Sequence, residues 1–297
     1  MTAARVLERV VRHAAFGVRF WDMAEATSTI DGLEVVVFSR ANPRAHTTAH
    51  VNRSGVYVAV GVPGLRDFEL SDAEPDILWA TATSPYRVEV RDPFGRFLPI
   101  AFDADLPMRG LFTWRAPWLS PPQPIVLPGD VGSPPQLLLE RVPLFSAPTR
   151  PVPEPLAAVR AQLREFGTGR EVAWSCLGVL IDGIPRGLGL ADEHGRVAVL
   201  FPYPEPPRIT LASPPEARND FTWPLELVAF WTPASPPPPV PDIPDLADIF
   251  AALAVQRAVV GSLDSPGAPL RLTYRQPLTA RTAGASGTDA SYLAVTA

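Results

Sequence analysis

The chain has no lysine: all 26 of its basic residues are arginine. The skew fits a genome rich in G and C. Its chemical consequence holds whatever its origin. Schiff bases, phosphate loops and kinase sites all depend on a lysine amine. Pyridoxal enzymes and the standard nucleotide hydrolases are therefore excluded. Cysteine is nearly absent as well. The single thiol, Cys176, allows no internal disulfide, and within VAWSCLGVLI it reads as a small buried hydrophobe. Charged residues are sparse, at 19%, and the net charge is −5. Arginines and acids are interleaved with no basic stripe, so nucleic acid is not an expected partner. Low charge suits a surface partly covered by other subunits. No run approaches the roughly 20 apolar residues that span a bilayer, so direct membrane insertion is not expected. The first residues break their apolar pattern with Arg and Glu and do not read as a secretory signal. A cytoplasmic protein is expected, or one that leaves the cell within a larger particle.

Proline, in contrast, is abundant: 37 residues against 20 glycines. Proline lacks the N–H that helix interiors and central strands require. Short strands, many turns and extended connections follow, and a helical bundle does not. One short pattern occurs twice. Asp92-Pro93-Phe94-Gly95-Arg96 opens onto FLPIAF, and Asp192-Glu193-His194-Gly195-Arg196 opens onto VAVLFP. The Asp side chain can bond its own backbone two residues on, and Gly supplies a left-handed residue, so each reads as a turn into a strand.

Periodicity fills in the rest. Residues 3–15 suit a short amphipathic helix with Val6, Val10 and Ala14 on one face. Phe16, Val18 and Phe20 alternate as in a strand. LEVVVFSR and GVYVAVGV read as buried strands, and the polar ANPRAHTTAHVNRS between them as a loop or edge. Residues 64–85 read as an irregular connection. Tyr86, Val88 and Val90 alternate with Arg87, Glu89 and Arg91, and the DPFGR turn makes a hairpin with FLPIAFDADL. GLFTW is a candidate third strand. LAAVRAQLR has helical propensity, but REFGTGREV after it looks like a hairpin, and a strand is expected. WPLELVAFW alternates and closes the second module. Asp245–Val260 is expected to be a helix, capped by Asp245 and ended by Gly261.

The expected architecture is mainly β: two tandem β-sandwich (transthyretin- or Ig-like) modules with Pro-rich connectors and a C-terminal helix-strand arm. The boundaries are an N-terminal module over 1–114, an extended connector over 115–155, a second sandwich over 156–232, and a spacer with the arm over 233–297. The arm is too small to fold alone, so it must dock on its own body or on a neighbour.

Little in the chain points to catalysis. His46 and His50 lack a helical context and a third ligand, so no metal is assigned. GASG falls short of a nucleophile elbow, and GLGLAD of a dinucleotide loop. No catalytic, metal or cofactor residue is assigned. Trp174, Trp223 and Trp231 sit in apolar strands and suit a core. The candidate interface residues are Trp114 and Trp118 in the connector, Leu246, Ile249, Phe250 and Leu253 on the arm helix, and Tyr274 and Tyr292 on the final strands.

Residues 156–204 resemble the carboxypeptidase regulatory-like β-sandwich. The likeness runs through the Asp182-Gly183-Ile184-Pro185 turn and RGLGLADEHGRVAVLF, with Ala191 where that family usually has Thr. The resemblance implies a non-catalytic module. SGVYVAVGVPGLRDFE, YRVEVRDPFGRFLPIAFDADLPMRGLF and PLFSAPTRPVP are similar to uncharacterised proteins of phage-tail-like contractile injection systems. That resemblance implies a structural subunit whose partners are other subunits, copies of itself among them. The other expectation is a carbohydrate- or protein-binding module that uses exposed aromatics.

Overall fold

The structure is a computed structural model of the chain. It describes residues 12–27, 30–72, 75–79, 82–113, 141–205, 221–231, 239–255, 257–260, 270–282 and 291–296, and the statements below concern these. Most of the expected N-terminal helix lies outside them, as do Trp114, Trp118, connector residues 115–140 and spacer residues 232–238. Strand accounts for 47% and helix for 7%, so the chain is mainly β, as its prolines require.

In chain order the first module contains β1 (Phe16–Asp22), β2 (Glu34–Ser39), β3 (His46–Val51), β4 (Val56–Ala59), α1 (Arg66–Glu69), α2 (Pro75–Leu78), β5 (Ser84–Arg91), β6 (Ile100–Leu106) and β7 (Val142–Leu144). Its seven strands run in the order β6-β5-β2-β3-β4-β1-β7. Alternation decides which side chains face inward. Phe16, Val18 and Phe20 of β1 and Tyr86, Val88 and Val90 of β5 are buried. The expected β5–β6 hairpin forms, with Val90 opposite Ile100 and Ser84 opposite Leu106.

Three segments depart from expectation. The polar stretch before Gly55 is not a loop: β3 pairs with both β2 and β4. Ala49 is its only buried residue. Ladder pairing holds it in the sheet, and a burial pattern could not reveal it. Residues 110–113 form no strand, although Phe112 is buried and its N–H meets the Gly17 carbonyl at 2.6 Å. Residues 141–150 are part of the first module. β7 runs parallel to β1, and the Leu98 N–H reaches the Phe145 carbonyl at 2.9 Å.

The second module continues with β8 (Leu156–Glu165), β9 (Cys176–Ile181), β10 (Ile184–Leu190), β11 (Arg196–Pro202), β12 (Thr222–Phe230), α3 (Leu246–Val255), β13 (Arg257–Val260), β14 (Leu270–Thr273), β15 (Leu278–Thr279) and β16 (Leu293–Thr296). Its main path is β10-β9-β12-β13-β16-β8-β11, with β14 on β12 and β15 on β8. The strand over 156–165 confirms the reading made against helix propensity. Leu225 and Leu227 face its core, as β12 alternation requires.

β10 and β11 do not form an ordinary hairpin. β10 pairs with β9 and β11 with β8, and only Ala191 bridges to Val197 across the turn. The G-L-G of β10 explains why. A Cβ at Gly189 would lie 2.8 Å from the Ala198 carbonyl oxygen, so glycine lets the two strands stack closely. This is the structural use of the GLGLAD run.

The C-terminal region corrects the expected boundary at 232/233. β13 pairs with β12 and β16, and β15 and β16 run parallel to β8. These strands belong to the second module's sheet. The helix also ends earlier than expected, at Val255, and Arg257–Val260 form a strand instead of its last turn. A β-branched pair beside an available ladder edge outweighs local helix propensity.

Candidate functional site

Two regions bring polar and aromatic side chains together: the seam between the modules, and a cleft at one end of the second module.

The seam is built around α3. Asp245 caps the helix as its sequence position suggests, with Oδ1 accepting from the Ala247 N–H at 2.9 Å. Its Oδ2 accepts from Arg87 Nη1 at 2.6 Å, which ties the helix start to the outer face of β5. The Ala101 N–H donates to the Pro244 carbonyl at 2.9 Å. Leu246, Ile249 and Phe250 are buried in the first module's core, with the Phe250 ring 6.4 Å from that of Phe145. Cys176 and Leu190 of the second module complete this cluster, and Leu253 packs at its margin. Leu246, Ile249, Phe250 and Leu253 were candidate interface residues on an arm expected to dock either on its own body or on a neighbour. Their apolar stripe is consumed within the chain, because two modules stand on either side of it.

A second contact lies beside the seam. Arg150 Nη1 and Nη2 donate to Asp22 Oδ1 and Oδ2 at 3.1 and 2.8 Å, and Nη2 also reaches Glu25 Oε1 at 2.6 Å. The Ser146 hydroxyl accepts from Nη1 at 3.0 Å, and the guanidinium lies over Phe97 at 4.9 Å. Asp22 and Arg150 are both buried, and the Arg150 carbonyl accepts from Arg160 Nη2 of β8 at 2.6 Å. Ala24, Ala158 and Leu200 pack together as an apolar contact between the modules. Sequence reasoning missed this pair. Arg150 stands in a Pro-rich stretch that reads as connector, and nothing local marks its partner 128 residues away.

The cleft is formed where the chain enters β8, facing the turn after β14. It measures about 190 Å³ and includes Glu154, Leu156, Tyr203, Tyr274, Arg275 and Pro277 in its lining. Tyr203 and Tyr274 meet edge to face at 4.9 Å, and the Arg275 guanidinium stands 5.4 Å from the Tyr274 ring centre. Trp223 lies behind, 5.8 Å from Tyr203. Burial raises the Tyr203 pKa above its ordinary 10.0, outweighing the opposing hydrogen bond from the Arg275 backbone, so the phenol stays neutral. The turn is anchored by the Tyr274 N–H on the Phe221 carbonyl at 2.9 Å. Tyr274 was anticipated, whereas Tyr203, Arg275 and Glu154 carried no sequence signal.

The remaining candidates are dispersed. Tyr292 is half-buried, with the Arg164 guanidinium 5.7 Å from its ring. His46 and His50 share the exposed face of β3, and four residues of strand separate them by roughly 13 Å, too far for one metal ion. No group of three metal-binding side chains occurs among the described residues. Cys176 is fully buried, and its pKa is pushed up to about 12 by burial. Its thiol is a packing group. Trp223 is buried in β12, whereas Trp174 lies in the turn before β9 and Trp231 just after β12; neither is in the strand expected of it, yet both are half-buried and pack against the cores. No described helix is long and apolar enough to cross a membrane.

No protein-family model and no curated protein matches the chain. Among solved structures it is similar to one described as the Bacillus anthracis TIE protein, with 11% identity and a TM-score of 0.23. That likeness covers 73% of this chain and 31% of the other, and is too loose to carry an argument about fold or function.

Proposed function

We propose that this protein is a non-enzymatic structural subunit of a multiprotein particle. The observation that carries the proposal is the joining of its modules. One helix contributes to a core drawn from both, the Arg150 carbonyl accepts from Arg160 of β8, and Ala24, Ala158 and Leu200 form an apolar contact between the modules. Two separately mobile binding modules would not need a helix of the second buried in the core of the first in this way. Two modules locked into one block suit a building unit. The resemblance of residues 54–69, 86–112 and 143–153 supports a phage-tail-like contractile injection particle as the assembly, at its cap, collar, baseplate or outer surface.

The test is co-purification. Particles isolated from cells that make the tagged chain should carry it with sheath and tube proteins through a density gradient. A strictly monomeric chain that never enters the particle fraction would overturn the proposal. A carbohydrate- or protein-binding module is the second reading, favoured by the aromatic cleft at Tyr203 and Tyr274.

A further inference from the structure

We propose that the cleft between Tyr274 and the Val152–Ala158 segment holds one ring of a neutral sugar. The inference is independent of any assembly role.

Its chemistry is two-sided. Tyr274 lines the cleft with a half-buried ring, held by its edge-to-face contact with Tyr203 at 4.9 Å and with the Arg275 guanidinium 5.4 Å from its centre. A pyranose presents a face of C–H groups that packs on such a ring, with hydroxyls around its rim. The hydroxyls need both donors and acceptors. Arg275 supplies donors and Glu154 an acceptor, and both are exposed at the lining of the cleft. Neither makes an ion pair with any described residue. Their hydrogen-bonding capacity is available to a ligand, and bonds from charged groups to hydroxyls are the stronger kind.

Three features favour a neutral sugar over other occupants. The lining carries one cation and one anion, so an acidic ligand that gained Arg275 would also meet Glu154. The volume of about 190 Å³ is below the roughly 300–1,000 Å³ of pockets for larger ligands, which fits a single ring at the end of a glycan. An extended proline-rich peptide needs a groove several residues long. The site is also built with some rigidity. Arg275 sits at φ 62°, a left-handed residue in a turn anchored to Phe221, so the guanidinium is presented from a defined backbone.

The experiment is a titration of the full-length ¹⁵N-labelled chain with the methyl glycosides of glucose, galactose, mannose and N-acetylglucosamine, each up to about 10 mM. At least one should give saturable shifts confined to residues 152–158, 203 and 274–277. Tyr274→Ala and Arg275→Asn should each weaken that binding by about tenfold or more, and Tyr292→Ala should leave it unchanged. Asn tolerates the left-handed backbone, so Arg275→Asn decides the matter if Tyr274→Ala fails to fold. Absence of saturable shifts with all four glycosides would overturn the proposal. So would saturable shifts elsewhere, or a response only to a hexaproline peptide.

Discussion

Arg150 grips Asp22 through both guanidinium nitrogens, at 3.1 and 2.8 Å, and both side chains are about 95% buried. The pair joins the end of β1 to the segment leading into the second module. A buried ion pair is weak support for overall stability but costly to break, because one charge is then left without a partner.

Arg150→Ala should therefore destabilise the protein by about 3–5 kcal/mol in urea denaturation. Replacing both residues, as in Arg150→Met with Asp22→Leu, should cost clearly less than the two single changes added together. A double variant that loses the full sum would show that the pair does not act as a unit.

The two D-x-x-G-R turns make a matched comparison. Asp92 accepts from the backbone N–H of Phe94 and Arg96, and Asp192 from those of His194 and Arg196. Each Asp also pairs with its own Arg, at 3.0 and 2.8 Å. Gly95 and Gly195 have φ of 66° and 73°. Their surroundings differ. A Cβ at Gly95 meets nothing within 4 Å, whereas one at Gly195 would come 2.5 Å from the Leu163 carbonyl oxygen. Gly95→Ala should cost about 1–2 kcal/mol, the ordinary left-handed penalty. Gly195→Ala should cost more, by about 1–3 kcal/mol, since β8 must also move. Thermal denaturation of both variants checks the order.

Asp92 sets an acid dependence. Burial pushes its carboxyl upward, but the hydrogen bonds and charge of Arg96, with help from the Phe94 N–H, outweigh this and hold it below its ordinary 3.8. A depressed carboxyl stabilises the fold above its unfolded value and stops doing so as pH falls through the folded value. This contribution is thus complete at neutral pH and fades below about pH 4. Asp92→Asn should be less stable than the parent at pH 7, and the gap should narrow towards pH 3. Urea midpoints at the two pH values measure it.

Cys176 should be silent in the native protein. Burial pushes its pKa up to about 12 and keeps the thiol from solvent. An aromatic disulfide reagent should label no thiol in native buffer and one per chain in denaturant. Labelling at the native state would place Cys176 on a surface that opens.

Several of these features were legible locally. The alternation of Tyr86, Val88 and Val90 carried β5, and that of Leu225 and Leu227 carried β12. Asp245 announced its cap. Other features had no local signature. β3 has one buried residue, so its membership rests on β2 and β4 alone. The cleft gathers Glu154, Tyr203 and Arg275 from distant stretches of chain, and no spacing rule reports such a meeting.

By itself, the sequence determined the class of the protein. Thirty-seven prolines and the missing lysines restrict the backbone and the chemistry wherever the chain goes. Turn residues and period-two runs set most strands, because those preferences act over a few residues. Only the tertiary structure decided where the apolar stripe of α3 would be spent. Leu246, Ile249 and Phe250 could cover a neighbour or their own body, and helical spacing is the same in both cases. The two modules lie close enough to bury that face within the chain, a fact of packing between residues far apart in sequence.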